Sequence, residues 1–503
     1  MSLALVVLVA GCAQVGPEAD PRSAATTDEV SAGFELIRDD AEALAAFMRA
    51  FPKGGDIHHH LIGTPTPELF MRIGAERRFC LDPELLVAAP GPCAPPSIAF
   101  TDLAAHPALR DRLQLAWSLH DRTPGADDVP AHFFGVFPKI WSLSETRGLI
   151  LAHLKRAAAQ ENVLYLETQL QTPGATDRLR SAGMAIGEGQ DVLLMREGLR
   201  RSGELEAAVQ ASLAELRGYE ARVESELGCA TSRIPACDVA HRYQMYALRI
   251  LPNPMVLADM ILAFEVASRS PLVVGVNVVG FEGNDNALSN YSTHMRALSA
   301  LRDEYPGVRL ALHAGELTAR EAGAAALQTH VPEAVYGAGA DRIGHGNAIA
   351  TSANREALLT YLSERGIPVE ISLTSNHWLL GLEGQAHHLP LLYDNNVPFT
   401  LNTDDAGIFE TDLSREYTVA AQKYKWLTYR DFKTLSRRAI EVSFLPGASY
   451  FRDLESGRAV AACADPASAR CGDFLDGSAR ARLQHRLESR FTAFERNAGA
   501  REW

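Results

Sequence analysis

The sequence predicts an α/β chain folded as a (β/α)8 TIM barrel with a helical insertion and loop excursions. Three observations carry that expectation. Eight short, β-branched runs alternate with longer helical stretches, the signature of a parallel sheet closed on itself. Chemistry-bearing residues sit at the ends of those runs, where a parallel barrel presents its site. The chain has 503 residues, with 47% apolar and 22% charged content, a length that fits one elaborated barrel as well as two conventional domains.

The order of elements begins with a short apolar run, Leu3 to Ala10, ending in Leu8-Val9-Ala10-Gly11-Cys12. It is too short to span a bilayer and lacks a basic leader, yet it resembles a bacterial lipoprotein signal (residues 1–12) with Cys12 as the lipid-accepting residue. Residues 13–45 read as an Ala/Pro/Ser/Thr-rich tether and the start of a lead-in helix, with helical spacing from Phe34 to Met48. The barrel is expected over 46–450 and a C-terminal extension over 451–503. Its strands are placed at 56–61, 163–170, 239–247, 272–279, 308–313, 341–345, 368–374 and 398–403. Residues 80–130, rich in Pro and Ala, read as a loop excursion. An insertion near 175–236 carries Leu193, Leu199, Leu205, Val209, Leu213, Leu216 and Val223 at helical spacing, an inserted helical hairpin over 186–228. Residues 429–444 read as a long helix closed by Pro446-Gly447.

The formal net charge of -14 argues against a nucleic-acid partner. Seven cysteines become six once Cys12 is set aside. The rest fall into the close pairs Cys80/Cys93, Cys229/Cys237 and Cys463/Cys471, which suits loop disulfides in an oxidising compartment. Six cysteines allow fifteen pairings, so the nearest-neighbour scheme is one of several. Export and a lipid anchor at the bacterial cell envelope, periplasmic or outer-membrane face, are expected, with membrane contact only through Cys12. The oligomeric state is left open, a homodimer included.

In Asp56-Ile57-His58-His59-His60-Leu61 the strand period of two puts His58 and His60 on one face and His59 on the other. Two imidazoles so placed can reach one ion at ~2.0–2.1 Å. A bare H-x-H is weak alone, and His59 reads as packed outside the barrel or solvent-facing. His313 and Asp404, at other strand ends, complete three nitrogens and one carboxylate, a set that suits Zn²⁺ with a position left for water. The rival reading makes Asp404 and Asp405 a turn or cap pair, Glu316 a first-turn acid, and Gly280 a residue needed for backbone freedom alone.

Pro52-Lys53 before the H-x-H, His313-Ala-Gly-Glu316, Gly344-His-Gly346, Leu401-Asn-Thr-Asp-Asp405 and Glu441-Val-Ser-Phe-Leu445 together resemble the adenosine deaminase family. The insertion, the Arg242-Tyr243 strand and the cysteine-bearing loops are similar to its secreted growth-factor branch and bacterial relatives. The likeness runs over about residues 50–450. The resemblance implies a zinc-dependent hydrolytic deaminase of adenosine and 2′-deoxyadenosine, releasing ammonia, with one Zn²⁺ per chain on His58, His60, His313 and Asp404. Bound zinc lowers the pKa of water towards ~7. His345 would orient the attacking water, Glu316 would protonate purine N1, and Asp405 would bond N7 or the water. The Gly280 N–H would meet N3. Where many members have a ribose-binding acid, this chain has Ile62; Glu282 is the candidate substitute. Asn376, His377 and Trp378 are candidates to line or cover the pocket. The end of strand four has no lysine to bridge a second ion, which favours one metal. Another amino- or N6-substituted purine as substrate, or a non-catalytic nucleoside-binding role, are the alternatives.

Overall fold

The computed structural model describes residues 27–187, 189 and 191–498. Cys12 and its flanking run therefore lie outside the described residues. Eight parallel strands form the barrel: β1 Lys53–His60, β2 Val163–Leu170, β3 Ala240–Leu248, β4 Val273–Val279, β5 Arg309–Ala314, β6 Arg342–His345, β7 Val369–Ile371 and β8 Phe399–Leu401. Each pairs with the next in chain order. Closure between β8 and β1 is made beside the expected metal site. The His60 N–H donates to the Asp404 carbonyl (3.1 Å), and the Asp404 N–H donates to the His58 carbonyl (3.0 Å).

A register shift between Asp56 and His59 inserts one extra residue in β1 against β2. His58 and His60 still meet the centre. His59 packs on the outside at 1% exposure, with its Nδ1 3.4 Å from the Thr168 hydroxyl, so it does not face solvent.

The barrel interior is polar. Glu167, Gln169, Gln244, Asn277, Arg342 and Glu370 recur at alternate positions of otherwise apolar strands, and all are buried. Arg342 donates to Glu370 (2.5 Å) and Glu167 (2.6 Å), and the Phe444 ring covers it from below at 3.8 Å. The Glu-Val-Ser-Phe-Leu motif thus plugs the barrel floor. It follows the helix Tyr429–Glu441, which a Thr428/Asp431 capping box starts.

Several expectations are corrected. The lead-in is two helices, Thr27–Ile37 and Ala41–Ala50, because Asp40 caps the second by accepting the N–H groups of Glu42 and Ala43. Residues 80–130 are more than a loop. A three-stranded antiparallel sheet (Cys80–Leu81, Ala88–Ala89, Ile98–Ala99) leads into the helix Pro107–Trp117. The seventh strand stops at Ile371, and a helix, Leu373–Leu380, takes over the residues expected to finish it. The cause is a carboxylate 42 residues on: Glu416 accepts both the N–H and the hydroxyl of Thr374.

The insertion has the expected form, Val192–Ser202 and Glu204–Leu227 joined at Gly203. Three disulfides form, Cys80–Cys93, Cys229–Cys237 and Cys463–Cys471. Among the described residues no helix is long and apolar enough to cross a membrane.

Candidate metal and catalytic site

At the C-terminal mouth of the barrel the ends of β1, β5, β6 and β8 bring together the residues expected from sequence. His58 Nε2 lies 3.9 Å and His60 Nε2 3.3 Å from one Asp404 oxygen, and His60 Nε2 is 3.2 Å from His313 Nε2. Potential ligand atoms of His58, His313, His345 and Asp404 lie within 4.8 Å of one another, as do those of His60, Asp404 and Asp405.

Hydrogen bonds behind the ring settle which nitrogen faces the cluster. The His58 Nδ1–H donates to the Glu370 carboxylate (2.6 Å), leaving the Nε2 lone pair free. The Asn277 carbonyl oxygen accepts the His313 backbone N–H (3.1 Å), so it must also accept from His313 Nδ1 (2.9 Å). His313 therefore also turns an Nε2 lone pair inward. His58 Nε2, like His345 Nε2, is buried without a hydrogen-bond partner; on His58 the atom is a lone pair, because the ring hydrogen is on Nδ1, and it is free for a cation. Against the cost of burial, Asp405 and Asp404 draw the His60 imidazole up to about 9, a measure of the negative field at this point. With the inward lone pairs of His58 and His313, the Asp404 carboxylate, and a His60 proton that a bound cation would displace, the set fits a borderline-soft divalent cation.

Asp404 sits at φ +63° and His345 at +60°. Such backbone costs of order ~1–3 kcal/mol per residue and persists where the surroundings over-determine it, as the two closing hydrogen bonds do for Asp404. His345 Nε2 is 3.7 Å from Glu316 and 4.0 Å from Asp404, while burial lowers its imidazole to about 3. It is neutral at physiological pH.

Glu316 faces the cavity at 13% exposure. Burial, then the Asp404 charge, push its carboxyl well above the usual range, which favours its protonated form. Burial and the neighbouring Asp404 act on Asp405 in the same direction, opposed by His60. Asp405 also explains Gly63, which the sequence reading passed over: a Cβ there would lie 1.6 Å from Asp405 Oδ1.

These residues open into a cavity of about 430 Å³. Gly280 lines it at φ +97°, where a Cβ would also meet Leu248 at 2.9 Å. Ile62 lines it too, beside the apolar face of Phe133, Phe134, Phe137 and Trp141 from the helix Val129–Ser144. That helix caps the mouth, with Phe133 stacked on Phe409 and Phe134 against Phe281.

Glu282, expected to touch substrate, is placed elsewhere. It is fully buried and accepts the N–H groups of Gly315 and Glu316 (both 3.0 Å) while contacting His330 at 2.6 Å. With both oxygens engaged it shapes the loop that carries Glu316 instead of reaching the cavity. His377 and Trp378 are half-buried and outside the cavity lining; Leu379 supplies that wall. Asn277, Glu370 and Arg249 went unread, although the period-two polar residues in apolar strands were an available signal. Arg249 is buried and ties the carbonyls of Gly280 (2.6 Å) and His313 (3.0 Å).

Residues 221–454 match the family model described as adenosine deaminase. An N6-methyl-AMP deaminase of Xenopus laevis is 34% identical over 183 residues, covering 35% of this chain and 46% of its own length. An adenine deaminase of Mesorhizobium japonicum is 32% identical over 183 residues, covering 36% of this chain and 51% of its own. An adenosine deaminase of Clostridium botulinum is 28% identical over 187 residues, covering 37% and 53%. The matches thus span about half the length of these relatives. Among solved structures, an amidohydrolase from Burkholderia ambifaria with bound Zn superposes with TM-score 0.52 at 18% identity, covering 89% of this chain and 95% of that one. That likeness shows the barrel fold.

Proposed function

We propose, on the premise that the chain belongs to the adenosine deaminase family, that it hydrolyses the 6-amino group of an uncharged purine nucleoside, adenosine or 2′-deoxyadenosine, to inosine or 2′-deoxyinosine and ammonia. The observation that carries this reading is the convergence of His60, His313, Asp404 and Glu316 on one apolar cavity, with His58 behind them 3.9 Å from Asp404. The donor set suits one Zn²⁺ per chain, which when bound lowers the pKa of water to about 7.

The chain's own residues then supply the rest. Glu316 donates its proton to ring N1, so that C6 can accept the oxygen nucleophile. His345 and Asp405 flank the attacking oxygen. The C6–N bond breaks and ammonia leaves; of the two protons of the water consumed, one departs with ammonia and one restores Glu316. The Gly280 N–H is the partner for N3. None of the residues lining the cavity is Lys or Arg, so nothing there neutralises a phosphate. This favours a nucleoside over a nucleotide.

A second reading, an N6-alkylated or otherwise apolar purine derivative, is favoured by Ile62 and the phenylalanine wall. Export with a lipid on Cys12 is part of the proposal, and three disulfides support an oxidising compartment. The test follows ultraviolet spectra of adenosine, 2′-deoxyadenosine, N6-methyladenosine, adenine and AMP with zinc supplied. Conversion of adenosine with AMP left intact is expected; preference for AMP would contradict the reading of the cavity, and preference for N6-methyladenosine would select the second reading.

A further inference from the structure

His345 differs from the metal-facing histidines in what stands behind it. Its Nδ1 is 3.2 Å from the side-chain nitrogen of Asn376, whose oxygen is 2.9 Å from His387 Nε2. His387 Nδ1 in turn lies 3.0 Å from the backbone nitrogen of Leu389. Asn376 and His345 are fully buried, and His387 is 3% exposed.

A backbone N–H can only donate, and that fixes every proton along the chain. His387 Nδ1 accepts from Leu389, so its proton is on Nε2. The Nε2–H donates to Asn376, so the oxygen of that amide faces His387 and the NH₂ faces His345. His345 Nδ1 accepts from that NH₂, so its own proton sits on Nε2, directed at Glu316 and Asp404. His58 and His313 point lone pairs at the cluster; His345 points a hydrogen.

We propose that Asn376 and His387 are positioning residues that lock His345 in its Nε2–H tautomer, making it a hydrogen-bond donor to the attacking oxygen and excluding it from the ligand set. The inference rests on the proposed function for the identity of that oxygen, but the tautomer itself does not depend on any substrate. Neither Asn376 nor His387 lines the cavity. They act through His345 alone.

The test labels the histidines of the full chain with ¹⁵N and reads the ring nitrogens of His345, assigned by comparison with His345→Asn. In the metal-free chain Nδ1 is expected to be unprotonated and Nε2 protonated. Asn376→Asp presents a carboxylate, which only accepts, and so moves the proton to Nδ1. With zinc loaded, this variant is expected to lose a hundredfold or more in kcat while metal content and KM stay within about threefold. His387→Gln, which keeps an N–H donor, restores kcat to within about fivefold, whereas His387→Phe does not; this pair decides the matter if Asn376→Asp fails to fold. An Nδ1–H tautomer in the unaltered chain overturns the proposal, as does a reversed tautomer with unchanged kcat. If no adenosine compound is turned over yet His345 shows Nε2–H, the function reading fails and the lock stands.

Discussion

In the proposed reaction the proton donor is Glu316, whose carboxyl is pushed well above the usual range by burial and by the Asp404 charge beside it. Because the Glu316 pKa is raised, the proton is present below that value and is lost as pH rises through it; kcat/KM should fall on the alkaline side for this reason. Glu316→Gln removes the donor and should cost ~10²–10⁴ in kcat, with metal content unchanged in elemental analysis. Gly63→Ala should behave like loss of Asp405, since the added methyl occupies the carboxylate's place. Equal activity in Gly63→Ala would refute that contact. The clustering of His58, His60, His313 and Asp404 was legible because metal-ligating residue types recur at several strand ends, where a bare H-x-H alone is weak. Glu282 was misassigned because one-dimensional order puts it beside Gly280, while its side chain turns away to hold the Glu316 loop. Asn376 was legible only as a pocket candidate. Its role depends on His387, eleven residues on, and on a backbone N–H that no motif displays.

The elements hold these residues through buried polar pairs. Glu370 on β7 joins His58 to Arg342, so Glu370→Gln should weaken zinc affinity by about 10–100-fold, measured by competition with a chelator, while leaving the fold intact. Glu416 ties the helix Leu413–Lys423 to the start of the helix that carries Asn376. Burial, opposed by hydrogen bonds from Thr374 and Thr411, raises its carboxyl from 4.5 to about 7. A folded pKa above the unfolded one gives stability that is full below ~4.5 and lost as pH rises through about 7. The loss is at most about 3 kcal/mol for a group this buried. Comparing Tm at several pH values, Glu416→Gln should remove this part of the wild-type slope; parallel slopes would contradict it. The same residue explains why the seventh strand could not be bounded from sequence. Ile-Ser-Leu-Thr reads as β, and only a distant carboxylate turns Leu373 and Thr374 into a helix start. Likewise the two-residue strands near Cys80 leave too little periodicity to read.

At the scale of the molecule, the first and last described segments close the barrel's underside together. Phe51 packs against Phe491 and Phe494 from the C-terminal helix Ala479–Ala498, and Tyr429 stacks edge-on against Phe51. The sequence reading named this extension without a role, since its aromatic partner Phe51 is at the other end of the chain and its ionic partners Lys433 and Arg437 are on a different helix. The three disulfides all lie outside the barrel strands, Cys80 being on the central strand of the small antiparallel sheet. Reductant should lower Tm without changing the activity of the folded fraction, each short loop contributing about 2–3 kcal/mol. Eight strands in order, and their closure into a barrel, were legible because each β-run and each helix obeys its own period; how the last strand meets the first was not, because that contact is made by Asp404 in a left-handed conformation that composition does not reveal. The central claim is one metal ion serving one proton donor in hydrolytic deamination. Its most direct test titrates metal-free protein with Zn²⁺ while measuring ammonia released from adenosine. The account predicts activity that rises linearly and saturates at one equivalent; saturation at two equivalents, or ammonia release without metal, would contradict it.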